Sequence, residues 1–314
     1  MMDFSKNKPE IFAFVPSYNH APFVEKCLKS IIKQTLPPKK LLVIDDGSKD
    51  DSAKTIERVL RDCSFEAELI VRENRGLCAT LNEGFSHCGA EFFAYISSDD
   101  VWLPEFLESR AGILQKRPDA VLAYGYSYLI DAQDKIIDST ENWGEYADGN
   151  ALSMLLYPII PASASVVYRR KALEKCAWNE DSILEDYELY LLLSVLGEFA
   201  LDEKILSAWR IHDANTSADF PLMMSEWLSA QLRVADEIGL SREELEKTQK
   251  KLKFRCVADF IRHGYRKDAF KLFWENQDCA DSLTALGKMF LRFFVPTNFF
   301  QRRKTVEEKT ILTY

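Results

Sequence analysis

Short unbroken apolar runs alternate with stretches of helical spacing over the first hundred residues. Residues 11–15 (IFAFV) read as a buried strand and stop at Pro16-Ser17-Tyr18-Asn19. Across residues 21–34, Phe23, Val24, Cys27, Leu28, Ile31 and Ile32 recur at helical intervals, which predicts a helix ended by Pro37-Pro38. Residues 41–44 (LLVI) form the next strand and close in Asp45-Asp46-Gly47-Ser48. A helix over 52–60, a strand over 68–71, a helix over 77–86 and a strand over 92–96 continue the alternation, the last running into Ser97-Ser98-Asp99-Asp100. Short strands with no polar face, separated by helices, predict a parallel sheet covered on both sides: an α/β fold.

The second half is patterned differently. A helix is predicted over 105–115, then a strand pair at 120–129 and 135–137 with Asp131-Ala132-Gln133-Asp134 as its turn. Residues 162–176 read as a strand feeding a helix near Arg170. Residues 184–197 (LEDYELYLLLSVLG) form a strong helix with Glu185 and Asp186 in its first turn, and a strand over 205–211 leads to His212. From about residue 219 the spacing is helical only, which predicts a C-terminal all-helical extension.

Three strands end in polar clusters, PSYN, DDGS and SSDD, and this changes the picture from fold to site. Open α/β sheets bind ligands beyond the carboxyl ends of their strands. Adjacent aspartates such as Asp99 and Asp100 repel each other, so they suit either a solvated turn or a bound cation. Neither a GxGxxG fingerprint nor a GxxxxGK[ST] loop is present.

Composition narrows the partners. The formal net charge of −9 argues against nucleic acid, and an acidic chain that takes a phosphorylated ligand needs local basic residues or a metal ion. Cys27, Cys63, Cys78, Cys88, Cys176, Cys256 and Cys279 form no CxxC pair and read as reduced thiols of a cytoplasmic protein. The start MMDFSKNKPE lacks a signal-peptide layout, and no apolar run reaches the roughly 18 residues of a membrane span.

The segments FVPSYNHAPFVEKCLKSIIKQTLPPKKLLVIDDGSKDDS, SSDDVWLPEFL, LEDYEL and WRIHDANTS, in that order, resemble the family 2 inverting glycosyltransferases of GT-A fold. The resemblance covers about residues 9–217. It implies a mixed, mostly parallel sheet sandwiched by helices, with a glycosyltransferase domain over 1–217, its donor-binding half at about 9–104 and its acceptor half at about 105–217. The helical extension over 218–314 follows as a docking segment.

It also implies a nucleotide-diphosphosugar donor, with a UDP-sugar favoured, a Mn2+ or Mg2+ ion, and a glycan or lipid-linked acceptor in surface polysaccharide biosynthesis. Carried over by position, Pro16, Tyr18 and Asp46 match residues that hold the nucleobase and ribose, with Asp45 adjacent. Asp99 and Asp100 match the metal and ribose acids, Asp186 the catalytic base with Glu185 beside it, and His212 a histidine that reaches metal or pyrophosphate. The chain departs from the family at Ser97, where many relatives carry an acid, and at Leu81, where an arginine commonly precedes Asn82. Which acid meets the metal therefore stays open, and Arg72 or Arg75 stands in for the missing arginine.

This chemistry is coherent. A sugar leaving a nucleotide deposits negative charge on the diphosphate, which a cation held by hard oxygen ligands offsets. The attacking hydroxyl loses a proton to a carboxylate within hydrogen-bond reach. Acids in a first helical turn are also favoured by the helix dipole alone, so Asp186 has a purely structural reading as well. Trp102 and Trp143 suit either a sugar face or the core. A nucleotidyltransferase is the competing enzyme class, but it would carry a glycine-rich basic loop where this chain reads PSYNHAP; a noncatalytic sugar-nucleotide binder is the third class. The segment 283–305 combines Leu286, Met289, Phe290, Phe293 and Phe294 with Lys288, Arg292, Arg302, Arg303 and Lys304 and is interrupted by Pro296. Its apolar face suits peripheral contact with the inner face of the membrane, the domain itself, or another subunit in an oligomer.

Overall fold

A computed structural model describes residues 8–212, 219–295 and Leu312. Strands β1 (Ile11–Ser17), β2 (Lys40–Asp45), β3 (Glu66–Val71) and β4 (Phe92–Tyr95) are joined by α1 (Val24–Ile32), α2 (Ser52–Leu60) and α3 (Leu77–Ser86). They pair in the order β3-β2-β1-β4, all parallel. A two-residue strand that the apolar pattern does not announce, β5 (Val101–Trp102), follows the acidic turn. Then come α4 (Phe106–Lys116), the long β6 (Ala120–Ile130), β7 (Ile136–Ser139), α5 (Leu152–Leu156), β8 (Val167–Arg169), α6 (Arg170–Leu173), α7 (Tyr187–Ser194) and β9 (Glu198–Arg210).

The full sheet runs β3-β2-β1-β4-β8-β6-β9-β5, with β7 on β6. β8 is antiparallel to both β4 and β6, and β6 is parallel to β9. Two reversals restore direction, so β9 runs the same way as β1, β2 and β4. The residues after Arg210 therefore emerge on the rim that carries the ends of β1, β2 and β4. The expected mostly parallel, mixed GT-A-type sheet is the one observed.

Alternation along β1 shows how the layers form. Ile11, Ala13 and Val15 pack under Val24, Cys27, Leu28 and Ile31 of α1, Ile56 and Val59 of α2, and Leu107 and Leu114 of α4. Phe12 and Phe14 face the other way, into a cluster with Leu81 of α3, Leu189 and Leu193 of α7, and the C-terminal helices. A side-chain period of two thus feeds two helical layers. Gly84 on α3 lets helix and sheet approach closely, since a Cβ there would lie 2.4 Å from the Phe14 ring.

The C-terminal helices are α8 (Phe220–Arg233), α9 (Arg242–Arg262), α10 (Arg266–Asn276) and α11 (Leu283–Leu291). Ser241 and Glu244 close a reciprocal capping box at the start of α9, as the S-x-x-E spacing favours. Trp227, Leu252, Phe260 and Phe273 join the cluster on the Phe14 side of the sheet, so extension and sheet share one apolar layer. No helix among the described residues is long and apolar enough to cross a membrane.

Candidate active site

The rim is built from loops and strand ends that lie far apart in the chain. The turn after β4 places Asp99 and Asp100, both nearly inaccessible, against the end of β9. Arg210 organises this contact. Its backbone N–H donates to Asp100 Oδ1 at 2.8 Å, and its fully buried guanidinium donates through Nε to the Asp99 carbonyl at 2.7 Å. The same guanidinium donates to the Asp131 carbonyl at 2.8 Å, pairs with Asp134 Oδ1 at 2.8 Å and lies 4.9 Å from the Phe23 ring centre. Asp134, in the β6–β7 turn with φ of 65°, also takes an ion pair from Lys26 of α1.

His212, two residues beyond β9, stacks on Phe23 at 5.3 Å and lies with Nε2 3.0 Å from Asp99 Oδ2. His20, from the loop between β1 and α1, approaches from the other side, its Nδ1 3.6 Å from Asp99 Oδ1 and 2.8 Å from Ser98 Oγ. One ligand atom from each of His20, Asp99 and His212 falls within 4.8 Å of the others. Asp99 Oδ1 is buried and has no hydrogen-bond partner among the described residues. Such an orphaned oxygen, on a carboxylate that has one imidazole at each of its two oxygens, suits a cation.

Electrostatics separates the acids. Burial works to raise the Asp99 carboxyl, but the His212 hydrogen bond and the charge of His20 outweigh it and hold Asp99 below its usual value. Asp100 is pushed well up by burial and by the Asp99 charge beside it. Glu185 and Asp186 end the loop that leads into α7. Glu185 is raised by desolvation and by Asp99, and Asp186 is raised well above its usual value by desolvation and by Glu185. Asp99, Asp100 and Glu185 lie within electrostatic reach of one another, and Asp186 within reach of Glu185; their repulsion calls for positive charge.

The family model described as "Glycosyl transferase family 2" matches residues 12–176, more than half of the chain. The chain belongs to glycosyl transferase family 2. An uncharacterised glycosyltransferase of Nostoc sp. (strain PCC 7120) is 27% identical over 267 residues, covering 82% of this chain and 77% of that one. The chondroitin synthase of Escherichia coli is 25% identical over 219 residues, covering 68% of this chain but 30% of the synthase. Among solved structures, a mannosyltransferase from Pyrobaculum calidifontis in complex with GDP-Man and Mn2+ aligns with a TM-score of 0.61 at 14% identity, covering 95% of this chain and 89% of that one. S. aureus TarS in complex with UDP-GlcNAc aligns at 0.59 and 14%, covering 90% of this chain and 81% of that one. These two likenesses show the GT-A fold. The chain is accordingly a glycosyltransferase.

Within this family 2 fold, the residues singled out from sequence separate into two groups. Asp99 and His212 meet at the rim, Glu185 is in electrostatic reach of Asp99 with Asp186 beside it, and Tyr18 is exposed just past the end of β1, beyond buried Pro16. Asp45 and Asp46 sit at the end of β2 but are engaged internally. Asp45 accepts from Ser48 N–H at 2.9 Å and Ser48 Oγ at 2.6 Å, which shapes the turn. Asp46 accepts from the N–H groups of Arg75 and Gly76 at 2.9 and 3.0 Å and from Arg72, which fixes the start of α3. Asp100 is likewise occupied by the Arg210 N–H and lies outside the His20–Asp99–His212 group.

Some expectations shift with the structure. Asp186 is the N-cap of α7 and Glu185 precedes it, so neither lies in the first turn. Trp102 is core: it is inaccessible, donates to the Ala164 carbonyl at 2.8 Å and stacks on Phe106 at 4.5 Å. Arg72 is committed to Asp46 and Glu83, while Arg75 is exposed. Residues 213–217 of the WRIHDANTS segment, and Pro296, Arg302, Arg303 and Lys304 of the tail, lie outside the described residues. Sequence reasoning missed His20 altogether. Its only signal was its position beside Asn19 in the first polar cluster.

Proposed function

We propose that this family 2 enzyme is an inverting, metal-dependent glycosyltransferase that moves a sugar from a nucleotide-diphosphosugar, a UDP-sugar in the first instance, to a glycan or lipid-linked acceptor of surface polysaccharide. The observation that carries the reading is the buried Asp99 carboxylate, one oxygen turned to His212 and the other, without a hydrogen bond, to His20, with Glu185 in electrostatic reach and Asp186 beside it. Asp99 and His212 would hold a Mn2+ or Mg2+ ion, which supplies positive charge to the departing diphosphate. Tyr18 offers an exposed ring to the nucleobase at the mouth of the cleft. Asp45 and Asp46 shape the walls of the nucleotide site from behind.

Asp186 is the general base. It takes the acceptor hydroxyl proton as that oxygen attacks the anomeric carbon from the face opposite the diphosphate. A carboxyl raised by burial and by Glu185 is a stronger base once ionised than a solvated one. One positioned base suffices for a single displacement with inversion. On this reading the donor-binding half spans about residues 9–104 and the acceptor half about 105–217, with the helices from 218 onward as a docking extension. Supporting a peripheral membrane contact, α10, α11 and the turn after α11 expose Phe270, Trp274, Leu283, Leu291 and Phe294 beside Lys271, Lys288 and Arg292.

The test is Asp186→Asn. Nucleotide-sugars are first screened by thermal shift with and without MnCl2 to find the donor. Transfer by Asp186→Asn is then expected to fall by about 10²–10⁴-fold with donor binding unchanged. Wild-type transfer by this variant would remove Asp186 from the mechanism.

A further inference from the structure

We infer that His20 is a direct ligand of the divalent cation, completing with Asp99 and His212 a two-imidazole, one-carboxylate set that favours Mn2+ over Mg2+. The inference deepens the metal-dependent reading above and rests on it.

The geometry points to His20 in three ways. First, its Nδ1 is 3.6 Å from Asp99 Oδ1, too long for a hydrogen bond. Two donor atoms that share a cation with bonds of about 2.0–2.2 Å lie roughly 3.0–3.6 Å apart, so the spacing is that of co-ligands. Second, Asp99 Oδ1 is buried with no hydrogen-bond partner among the described residues, and its side chain is only 8% exposed. His212 already faces the other oxygen, Oδ2, at 3.0 Å. The unsatisfied oxygen is therefore the one turned towards His20.

Third, His20 is held in place before any ion arrives. Its N–H donates to Ser52 Oγ at 3.0 Å, and its carbonyl accepts the N–H groups of Phe23 and Val24, each at 2.9 Å, at the start of α1. Ser98 Oγ, 2.8 Å from Nδ1, holds the ring at its present tilt. A neutral imidazole nitrogen uses one lone pair either for a hydroxyl proton or for a cation, so Ser98 keeps the ring aimed until an ion takes that lone pair. Phe23 does the same for His212 by stacking.

Donor type then sets selectivity. Mg2+ prefers oxygen ligands and retains its waters, whereas Mn2+, the weakest binder of the first-row series, also takes oxygen donors but accepts imidazole nitrogen beside them more readily than Mg2+ does. An Asp99–His212 pair alone is one nitrogen and one carboxylate; a second nitrogen tips the site away from Mg2+. It also lets the ion bind the protein before the nucleotide does.

The experiment titrates MnCl2 and MgCl2 separately into the full chain without nucleotide, by calorimetry, and records pulsed EPR of the Mn2+-loaded protein. For the wild type, Mn2+ binding at least about 10-fold tighter than Mg2+ is expected, with nitrogen modulation from two imidazoles. His20→Phe keeps a ring without a lone pair; it should lose at least about 10-fold in Mn2+ affinity and show one nitrogen. Should the variant fold poorly, the nitrogen count of the wild type decides by itself, and a single nitrogen overturns the assignment. If His212→Phe loses Mn2+ while His20→Phe keeps wild-type affinity, His20 is no ligand and the glycosyltransferase reading stands. If the wild type binds neither ion, with or without UDP, the metal-dependent reading fails along with it.

Discussion

Replacing Arg210 by methionine isolates the group that ties the acidic turn to the rest of the rim. The side chain is fully buried and serves the Asp99 carbonyl, the Asp131 carbonyl and the Asp134 carboxylate, each at 2.7–2.8 Å. Methionine retains most of the apolar packing under Phe23 but offers no donor. Two carbonyls then lose a charged donor, at about 1–3 kcal/mol for each group left unsatisfied. Asp134 loses one of its two cations, and breaking a buried ion pair costs about 3–5 kcal/mol when nothing replaces it. Lys26 stays on Asp134 and offsets part of this. These losses overlap, because all three acceptors share one guanidinium, so they do not add. A net destabilisation of about 3–5 kcal/mol is expected. Urea unfolding followed by tryptophan fluorescence reads it as a lower midpoint, with the slope compared between variants. Mn2+ affinity should fall as well, since the backbone of Asp99 is no longer held. A loss of stability below about 1 kcal/mol would refute the claim that Arg210 is what fixes the turn.

Other consequences are equally concrete. A Cβ on Gly125 would lie 2.1 Å from the Asp202 carbonyl and 2.3 Å from Arg110, which is itself buried in an ion pair with Asp202. Gly125→Ala should therefore cost more than about 3 kcal/mol, whereas Gly112→Ala, in α4 with open space around it, should gain about 0.5–1 kcal/mol; paired thermal melts separate the two. Glu25 is held down to about 2 by hydrogen bonds from Arg58 and Lys29, which clamps α1 to α2. A carboxyl whose folded value is depressed contributes stability above its unfolded value, lost as pH falls through the folded one. Glu25→Gln should thus cost about 0.5–1 kcal/mol at pH 7, screening having reduced the pair's worth, and the difference should vanish between about pH 4.5 and 2 in acid-unfolding curves. Phe294→Glu, which charges an aromatic residue that is 72% exposed, should weaken sedimentation of the protein with vesicles containing anionic lipid, and equal sedimentation would count against the membrane contact.

Most of the donor half was legible because β1, β2 and β4 are short, buried on both faces and ended by Pro, Asp and Ser, while the edge strand β3 is polar at Glu66 and Glu68. The helix expected over 52–60 is α2 (Ser52–Leu60), and the one expected over 77–86 is α3. The acceptor half was read less well. β9 begins at Glu198, seven residues before the predicted start, because Asp202, Glu203 and Lys204 interrupt its apolar pattern where the backbone pairs irregularly with β6. β5 was invisible: two residues cannot show a period, and only its pairing with Ser207 and Ala208 makes it a strand.

The same division runs through the site. Local sequence determined the fold class and the acidic turns at the strand ends, since each follows from residue types at short range, whereas Asp186 and His212 entered as candidates only through the resemblance of the ordered motifs to the family. Which carboxylates remain available was settled only in three dimensions. Asp45, Asp46 and Asp100 are drawn into backbone N–H groups by neighbours 3 to 110 residues away, while Asp99 keeps an oxygen turned to His20. The strand reversals at β8 bring Arg210 and His212 to a turn more than a hundred residues earlier in the chain. A carboxylate's chemistry depends on the donors and charges within a few ångströms of it, and in this chain those neighbours come from sheet topology, which residue spacing does not encode.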